Sequence, residues 1–359
     1  MESGTSELTR LPGLDTVIEQ PEPREQPRGE RGRWLERGPS GKLMLFSGRS
    51  HRELAEKIAE HLNIELGEVE LTTFANGEPY CRYLESVRGA DVFIVQSCAP
   101  PAVNDHLLEL LFMINAAKLA SAHRITAVMP WFPYSRQDKK SAPREPISAR
   151  LIADFLEAAG VDRVLTMDLH AGQIQGFFRI PVDHMTALQI FAKYYWDKGL
   201  HGAGVVAVSP DPGRGKMATK FAQMLDANFA LMNKSRPAHD EAVMTEVVGR
   251  VRGKIAIMSD DICSTGGTLI AGAEALKEAG AVEVYACATH GLFPVHAFER
   301  IAASELTELT VTDTVPIDPL GRPDKVRVLT VSKLLSDTIQ NVFSDDSVSG
   351  LFGGENQLF

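Results

Sequence analysis

The chain has 359 residues, of which 44% are hydrophobic and 23% charged, and its formal net charge is −10. That is the composition of a globular protein long enough for two domains. An acidic balance of this size argues against non-specific binding to nucleic acid or to an anionic membrane, so any phosphate-binding surface must concentrate Lys and Arg locally.

No apolar run reaches membrane-spanning length and the N-terminus lacks a signal-peptide core, so a cytoplasmic location is expected. The four cysteines, Cys81, Cys98, Cys263 and Cys287, show neither CxxC pairing nor metal-ligand spacing, which suits free thiols in a reducing compartment. Residues 1–40 are rich in Pro, Gly, Glu and Arg and poor in apolar side chains. They offer too little surface to offset the entropy of ordering, so a disordered extension is expected, with Trp34 and Leu35 as the only hint of docking.

Periodic structure begins at Leu43. A strand is predicted at Lys42–Ser47, a helix at Arg52–Leu62, a strand at Asp91–Ser97, a helix near Asn104–Ala122 and a strand at Arg124–Met129. After Met129 comes Trp131-Phe132-Pro133-Tyr134-Ser135-Arg136-Gln137-Asp138-Lys139-Lys140, a cationic run behind aromatics. Most charge runs are solvated loops, but Arg and Lys at this density can grip a polyphosphate. A helix at Ile147–Ala159 and a strand at Arg163–Met167 lead to Asp168-Leu169-His170-Ala171-Gly172-Gln173. A lone His is usually structural; one beside an Asp at a strand end can ligate a phosphate-carrying metal ion.

The alternation then restarts. Helices are predicted at Ala187–Lys198, Lys216–Leu225 and Pro294–Ala303, and strands at Gly204–Ser209, Asn228–Met232, Lys254–Ser259, Glu283–Thr289, Thr307–Thr312 and Val326–Thr330, with a terminal helix from Val331 to about Phe343. Alternating strands and helices mean parallel sheets flanked by helices, here two α/β units meeting near residues 180–190. Asp211 follows one strand and could offer an oxygen ligand, while Lys234 and Arg236 alternate and so can face one side of an extended segment.

The most informative stretch follows Ile255–Met258. Asp260 and Asp261 stand where that strand is expected to end, and Ser264, Thr265, Gly266, Gly267 and Thr268 then open a helix running to about Gly280. Small residues let backbone N–H groups approach an anion at a helix N-terminus. Paired carboxylates suit sugar hydroxyls or a metal ion, so the stretch points to a phosphorylated sugar. Ligands of open α/β sheets bind beyond the carboxyl ends of strands, and a shared cleft or a subunit interface would unite these clusters.

Assembled, these residues closely resemble the ribose-phosphate pyrophosphokinase (PRPP synthetase) family over roughly residues 43–352. DLHAGQIQGFF at 168–178 is similar to the family's metal-site signature, YSRQDKKSAPREPISA at 134–149 to its ATP-binding loop, FANGE at 74–78 to its FSDGE segment, and SDDICSTGGT at 259–268 to its phosphoribose loop. The resemblance implies two tandem phosphoribosyltransferase-type domains, an ATP side at 41–185 and a ribose 5-phosphate side at 186–345, followed by a tail at 346–359. It implies PRPP and AMP made from ATP and ribose 5-phosphate with Mg²⁺, in a homo-oligomer of dimers assembled to hexamers.

Carried onto matching positions, Phe74, Asn76 and Glu78 contact adenine from a neighbouring subunit, and Arg136, Gln137, Asp138 and His170 bind the nucleotide. His170 and Asp211 hold the metal, and Asp260, Asp261 and Ser264–Thr268 hold ribose 5-phosphate. Lys234 and Arg236 stabilise the transition state, and Ser347, Ser349 and Phe352 belong to a regulatory phosphate or ADP site. Asn76 and Ser264 each replace a usual Asp, and Pro212 and Arg214 replace the His and second Gly of the common DHGG form. These departures leave room for a non-catalytic regulatory paralogue; a PRPP-using phosphoribosyltransferase is the other alternative.

Overall fold

Adjacent strand residues feed different cores, and this alternation organises the molecule. The computed structural model describes residues 32–37, 41–235 and 244–352. Its first half runs β1 (Leu35–Arg37), β2 (Gly41–Ser47), α1 (Arg52–Leu62), β3 (Val69–Thr73), β4 (Pro79–Tyr83), β5 (Asp91–Val95), α2 (Val103–Leu119), β6 (Arg124–Met129), α3 (Ser148–Ala159), β7 (Arg163–Met167) and β8 (Val182–Met185). The second half runs α4 (Leu188–Asp197), β9 (Val205–Ser209), α5 (Gly215–Met224), β10 (Asn228–Ser235), β11 (Met244–Val248), β12 (Ile255–Cys263), α6 (Gly267–Glu278), β13 (Glu283–Gly291), α7 (Ala297–Ala302), β14 (Glu308–Thr312), β15 (Val326–Leu329) and α8 (Ser332–Ser344).

Two large sheets result, ordered β1-β2-β5-β6-β7-β8 and β11-β10-β9-β12-β13-β14-β15. Each is parallel except at one edge, where β1 pairs antiparallel with β2 and β11 with β10. Leu43 and Leu45 of β2 point into a core that also takes Val205 and Ala207 of β9 and the buried faces of α1, α4, α5 and α8. Met44 and Phe46 point the other way, into a core under α2 and α3. Val206 and Val208 likewise face a third core under α6. A period of two in the sequence thus assigns each strand residue to one of two apolar layers. The central core is common to both sheets, and Leu335, Ile339, Val342 and Phe343 of α8 enter it beside Leu54 and Ile58 of α1.

Most predicted elements fall within a residue or two of those observed. The differences lie where pairing partners decide. Residues 35–37, expected within a disordered extension, pair with β2, because Leu35 packs on the central core and Trp34 lies 4.0 Å under the Lys42 ammonium. Residues 1–31 and 38–40 lie outside the described residues. The hairpin β3–β4 and the short strands β8 and β11 were not anticipated. Strand β12 continues to Cys263 because β13 pairs with it as far as Gly291, so Asp260 and Asp261 sit inside a strand rather than after one. No helix among the described residues is long and apolar enough to cross a membrane.

Candidate active site

The carboxyl ends of β7 and of β12 and β13 meet, and the turn after β7 is fixed from both sheets. Asp168 leaves β7 with a positive φ of 34°. Its Oδ2 accepts from the backbone N–H of Ala187 at 2.9 Å and from the Thr289 hydroxyl of β13 at 2.6 Å. The imidazole of His290, also on β13, donates from Nε2 to the Met167 carbonyl oxygen at 3.1 Å. His184 of β8 accepts the Leu169 N–H at Nε2, 2.9 Å away. Burial lowers the pKa of both imidazoles despite the nearby Asp168 charge, that of His184 to about 4, so both are neutral.

This turn delivers His170 to the second sheet. His170 Nδ1 donates to Asp261 Oδ2 at 2.7 Å. Arg214, which ends the short turn after β9, closes the group: its Nη2 donates to Asp261 Oδ2 and, at 3.2 Å, to the His170 carbonyl oxygen. Its Nε lies 3.8 Å from Asp260 Oδ1. Side-chain exposure is only 11% for Arg214, 12% for Asp260 and 3% for Asp261. Burial alone would raise both carboxyls. For Asp261, the His170 hydrogen bond and the Arg214 charge outweigh burial and hold it well below the usual carboxylate range. For Asp260, burial and then the adjacent Asp261 charge prevail, and its pKa is pushed up.

Beyond the acidic pair, Ser264–Gly266 form the loop before α6, and Gly267 and Thr268 are already in its first turn. Gly266 adopts φ +77°, and a Cβ there would meet Ile301 at 3.2 Å and Ile270 at 3.3 Å, so glycine is required. No side chain caps α6, which leaves its first N–H groups open to an anion. Cys263 is buried; burial and the Asp260 charge push its thiol up to about 12, against the Gly266 N–H and the Arg136 charge. That places Arg136 within electrostatic reach of the end of β12.

Trp131 bridges the same region from β6. Its ring meets His290 edge-on at 4.7 Å, and it shares a small buried cluster with Ala99, Ile262 and Val315. Arg136 and Gln137 are exposed, whereas Asp138 is buried and accepts from Gln173 Nε2 at 2.6 Å. Asp211 accepts the Arg214 N–H at Oδ1, 3.2 Å away.

None of the remaining sequence-predicted residues is among the contacts above, and some lie outside the described residues. Phe74, Asn76 and Glu78 form the exposed turn of the β3–β4 hairpin, held by Phe74 N–H on the Glu78 carbonyl at 2.8 Å and by Glu78 N–H on Asn76 Oδ1 at 3.2 Å. Lys234 lies on β10 opposite Thr245, its side chain outside the described residues; Arg236 lies wholly outside them. Ser347 and Ser349 hydrogen-bond each other at 2.7 Å, and Ser349 lines a cleft of about 380 Å³ with Arg163, Asp183 and Asp346. The Phe352 side chain and residues 353–359 are outside the described residues.

Residues 43–160 match the N-terminal domain of ribose phosphate pyrophosphokinase, and residues 232–353 match the phosphoribosyl synthetase-associated domain. The ribose-phosphate pyrophosphokinase of Fusobacterium nucleatum is 47% identical over 310 residues, spanning 86% of this chain and 98% of that relative. That of Caldanaerobacter subterraneus is 49% identical over 311 residues, again spanning 86% and 98%. The chain belongs to the ribose-phosphate pyrophosphokinase family. As a member it is an enzyme of that class. The crystal structure of phosphoribosylpyrophosphate synthetase from Mycobacterium smegmatis superposes with a TM-score of 0.78 at 44% identity, covering 84% of this chain and 99% of that one.

Within this family frame, sequence reasoning missed the second-sheet clamp, Thr289 and His290, and the first-sheet His184. Nothing in the sequence ties them to Asp168. Arg214 was visible as a departure from the family pattern but not as a group at the centre of the site.

Proposed function

We propose that the chain transfers the β,γ-diphosphoryl group of ATP to the anomeric hydroxyl of ribose 5-phosphate, giving PRPP and AMP and feeding nucleotide synthesis. The observation that carries this reading is the 2.7 Å hydrogen bond from His170 to Asp261. It joins the metal-site motif of the first sheet to the acidic pair of the second, as a reaction between a nucleotide and a phosphosugar requires. We assign an ATP side to residues 41–185 and a ribose 5-phosphate side to 186–345, with α8 packing back on α1.

Each group then has a task. The Ser264–Thr268 loop and the open N-terminus of α6 receive the 5-phosphate, an interaction worth roughly 0.3–2 kcal/mol from the helix dipole alone. Asp260 and Asp261 hold the ribose hydroxyls and so aim the anomeric oxygen. Arg136, Gln137 and Asp138 bind the nucleotide, Arg136 at its phosphates. Phe74, Asn76 and Glu78 reach the adenine of a neighbouring subunit in a homo-oligomer of dimers, assembled to hexamers. Lys234 and Arg236 neutralise charge developing on the transferred group. Positioning and charge neutralisation supply most of the acceleration in such transfers.

The residues present fit Mg²⁺. Nδ1 of His170 is committed to Asp261, which leaves Nε2 as the ligating nitrogen and orients the ring, an arrangement common at metal-bound histidines. Asp211 spends Oδ1 on the Arg214 N–H. Among the described residues no three His, Cys, Asp or Glu side chains converge into a metal site. Two protein ligands with the rest from phosphate oxygens and water is how Mg²⁺ is ordinarily held with nucleotides. When bound, the ion screens the phosphate charge of ATP. Ser347, Ser349 and Phe352 are assigned to a regulatory phosphate or ADP site, and the location is cytoplasmic.

Incubation with ATP, Mg²⁺ and ribose 5-phosphate tests the reading. AMP should form only when the sugar phosphate is present. No AMP across a range of phosphate concentrations would overturn it.

A further inference from the structure

Arg214 occupies the middle of the site, and its surroundings are unusual for a surface cation. Its guanidinium meets Asp261 Oδ2, stands 3.8 Å from Asp260 Oδ1, and donates to the His170 carbonyl oxygen at 3.2 Å. Nη2 thus donates to acceptors from both sheets while Nε faces a second carboxylate at ion-pair distance, a reach that suits the planar guanidinium better than a single ammonium. The turn that presents it is anchored at its own base, where the Arg214 N–H bonds Asp211 Oδ1. A charge held on this buried pair, whose side chains are 12% and 3% exposed, needs a cation beside it. A divalent cation is one solution to that problem; a fixed guanidinium is another, and it is the one built into this chain.

We propose that Arg214 is a positioning residue that takes the place of a divalent cation at the acidic pair, so that ribose 5-phosphate binds this enzyme without metal. The proposal rests on the assignment of Asp260 and Asp261 to the sugar. By neutralising Asp261 and tying it to the His170 backbone, Arg214 also fixes the spacing between the two halves of the site. Divalent cation is then required only on the nucleotide side.

The test measures binding of ribose 5-phosphate to the full chain by calorimetry, in EDTA and in Mg²⁺, alongside Mn²⁺ uptake by electron paramagnetic resonance without nucleotide. The parent should bind the sugar phosphate with a Kd that differs by less than ~3-fold between EDTA and Mg²⁺. Arg214→Ala should lose at least ~10-fold in affinity in EDTA, as expected when a buried charge loses its partner, and should recover most of it in Mg²⁺. It should also take up one further Mn²⁺ per chain, with the KM for ATP within ~2-fold of the parent. Arg214→Lys, which keeps the charge but lacks the planar fork that faces both carboxylates, should fall between the two and take up no extra Mn²⁺. Arg214→Lys decides the matter if the Ala variant fails to fold. Sugar binding by the parent that vanishes in EDTA, or binding by both variants equal to the parent in EDTA, overturns the proposal. Either result with sugar-dependent AMP formation intact leaves the function standing; loss of AMP formation in the parent removes both.

Discussion

Asp168 sets the direction in which His170 leaves its strand, and it does so at a conformational cost. A non-glycine residue at φ 34° is strained and persists only where its surroundings hold it. Here they do: one carboxylate oxygen receives both the Ala187 N–H and the Thr289 hydroxyl. Asp168→Ala leaves two buried donors without an acceptor and should destabilise the fold by about 2–4 kcal/mol in urea titrations. Asp168→Asn retains an acceptor oxygen and should cost less than half of that; equal losses would show that the hydrogen bonds are not what holds the turn. The carboxylate and its neighbouring imidazole were legible in the sequence as a pair at a strand end. Their clamp was not, because Thr289 is 121 residues away and ordinary in its local context. Separation in sequence also hid Arg214, whose partners are His170, 44 residues earlier in the turn after β7, and Asp261 of β12.

At the scale of elements, long amphipathic helices and buried parallel strands announced themselves, because each carries enough apolar residues to fix its period. The β3–β4 hairpin did not. Each strand offers the core under α2 and α3 only two alternating apolar residues, Val69 and Leu71 on β3 and Cys81 and Tyr83 on β4, all partly buried and too few to fix a period, and the tight turn at Gly77, φ +91°, closes the pair. Strand β12 read short for the opposite reason. Its last residues include two carboxylates, and only the register with β13 makes them strand. The hairpin's strands pack on the core, but its tip is exposed, and the tip makes a clean test of its role. Phe74 is 53% exposed and meets the Tyr80 ring at 5.6 Å. Phe74→Ala should change stability by no more than about 0.5 kcal/mol, the usual range for a surface site. If the aromatic face stacks on adenine of a neighbouring subunit, the KM for ATP should rise by roughly 5–30-fold, matching the ~1–2 kcal/mol of a lost aromatic contact, while the KM for ribose 5-phosphate stays level. An unchanged KM for ATP would remove the hairpin from the nucleotide site.

Across the whole molecule, the two sheets are joined by a shared apolar core and by neutral imidazoles at their junction. His51, at the start of α1, bonds the Asp313 carbonyl oxygen beyond β14 at 2.8 Å, and His290 of β13 bonds the Met167 carbonyl oxygen of β7 at 3.1 Å. Burial lowers the pKa of His51, His184 and His290, against the raising effect of Asp313 and Glu53 on the first and of Asp168 on the other two. A histidine with a depressed folded pKa binds fewer protons folded than unfolded below pH ~6.5, so its contribution to stability is complete above that pH and is lost as pH falls. Asp260, whose folded pKa is raised, contributes with the opposite sign. A difference measurement separates them. His184→Gln keeps an acceptor for the Leu169 N–H but cannot be protonated. Its unfolding free energy should therefore fall less steeply than the parent's between pH 6.5 and about 4, the window set by the His184 pKa. The gap in slope should approach about 1.4 kcal/mol per pH unit, the value for one proton. Urea midpoints at half-unit steps measure it, and parallel curves for the two proteins would mean that His184 is protonated in the native state and that the junction is not held by neutral imidazole at that position.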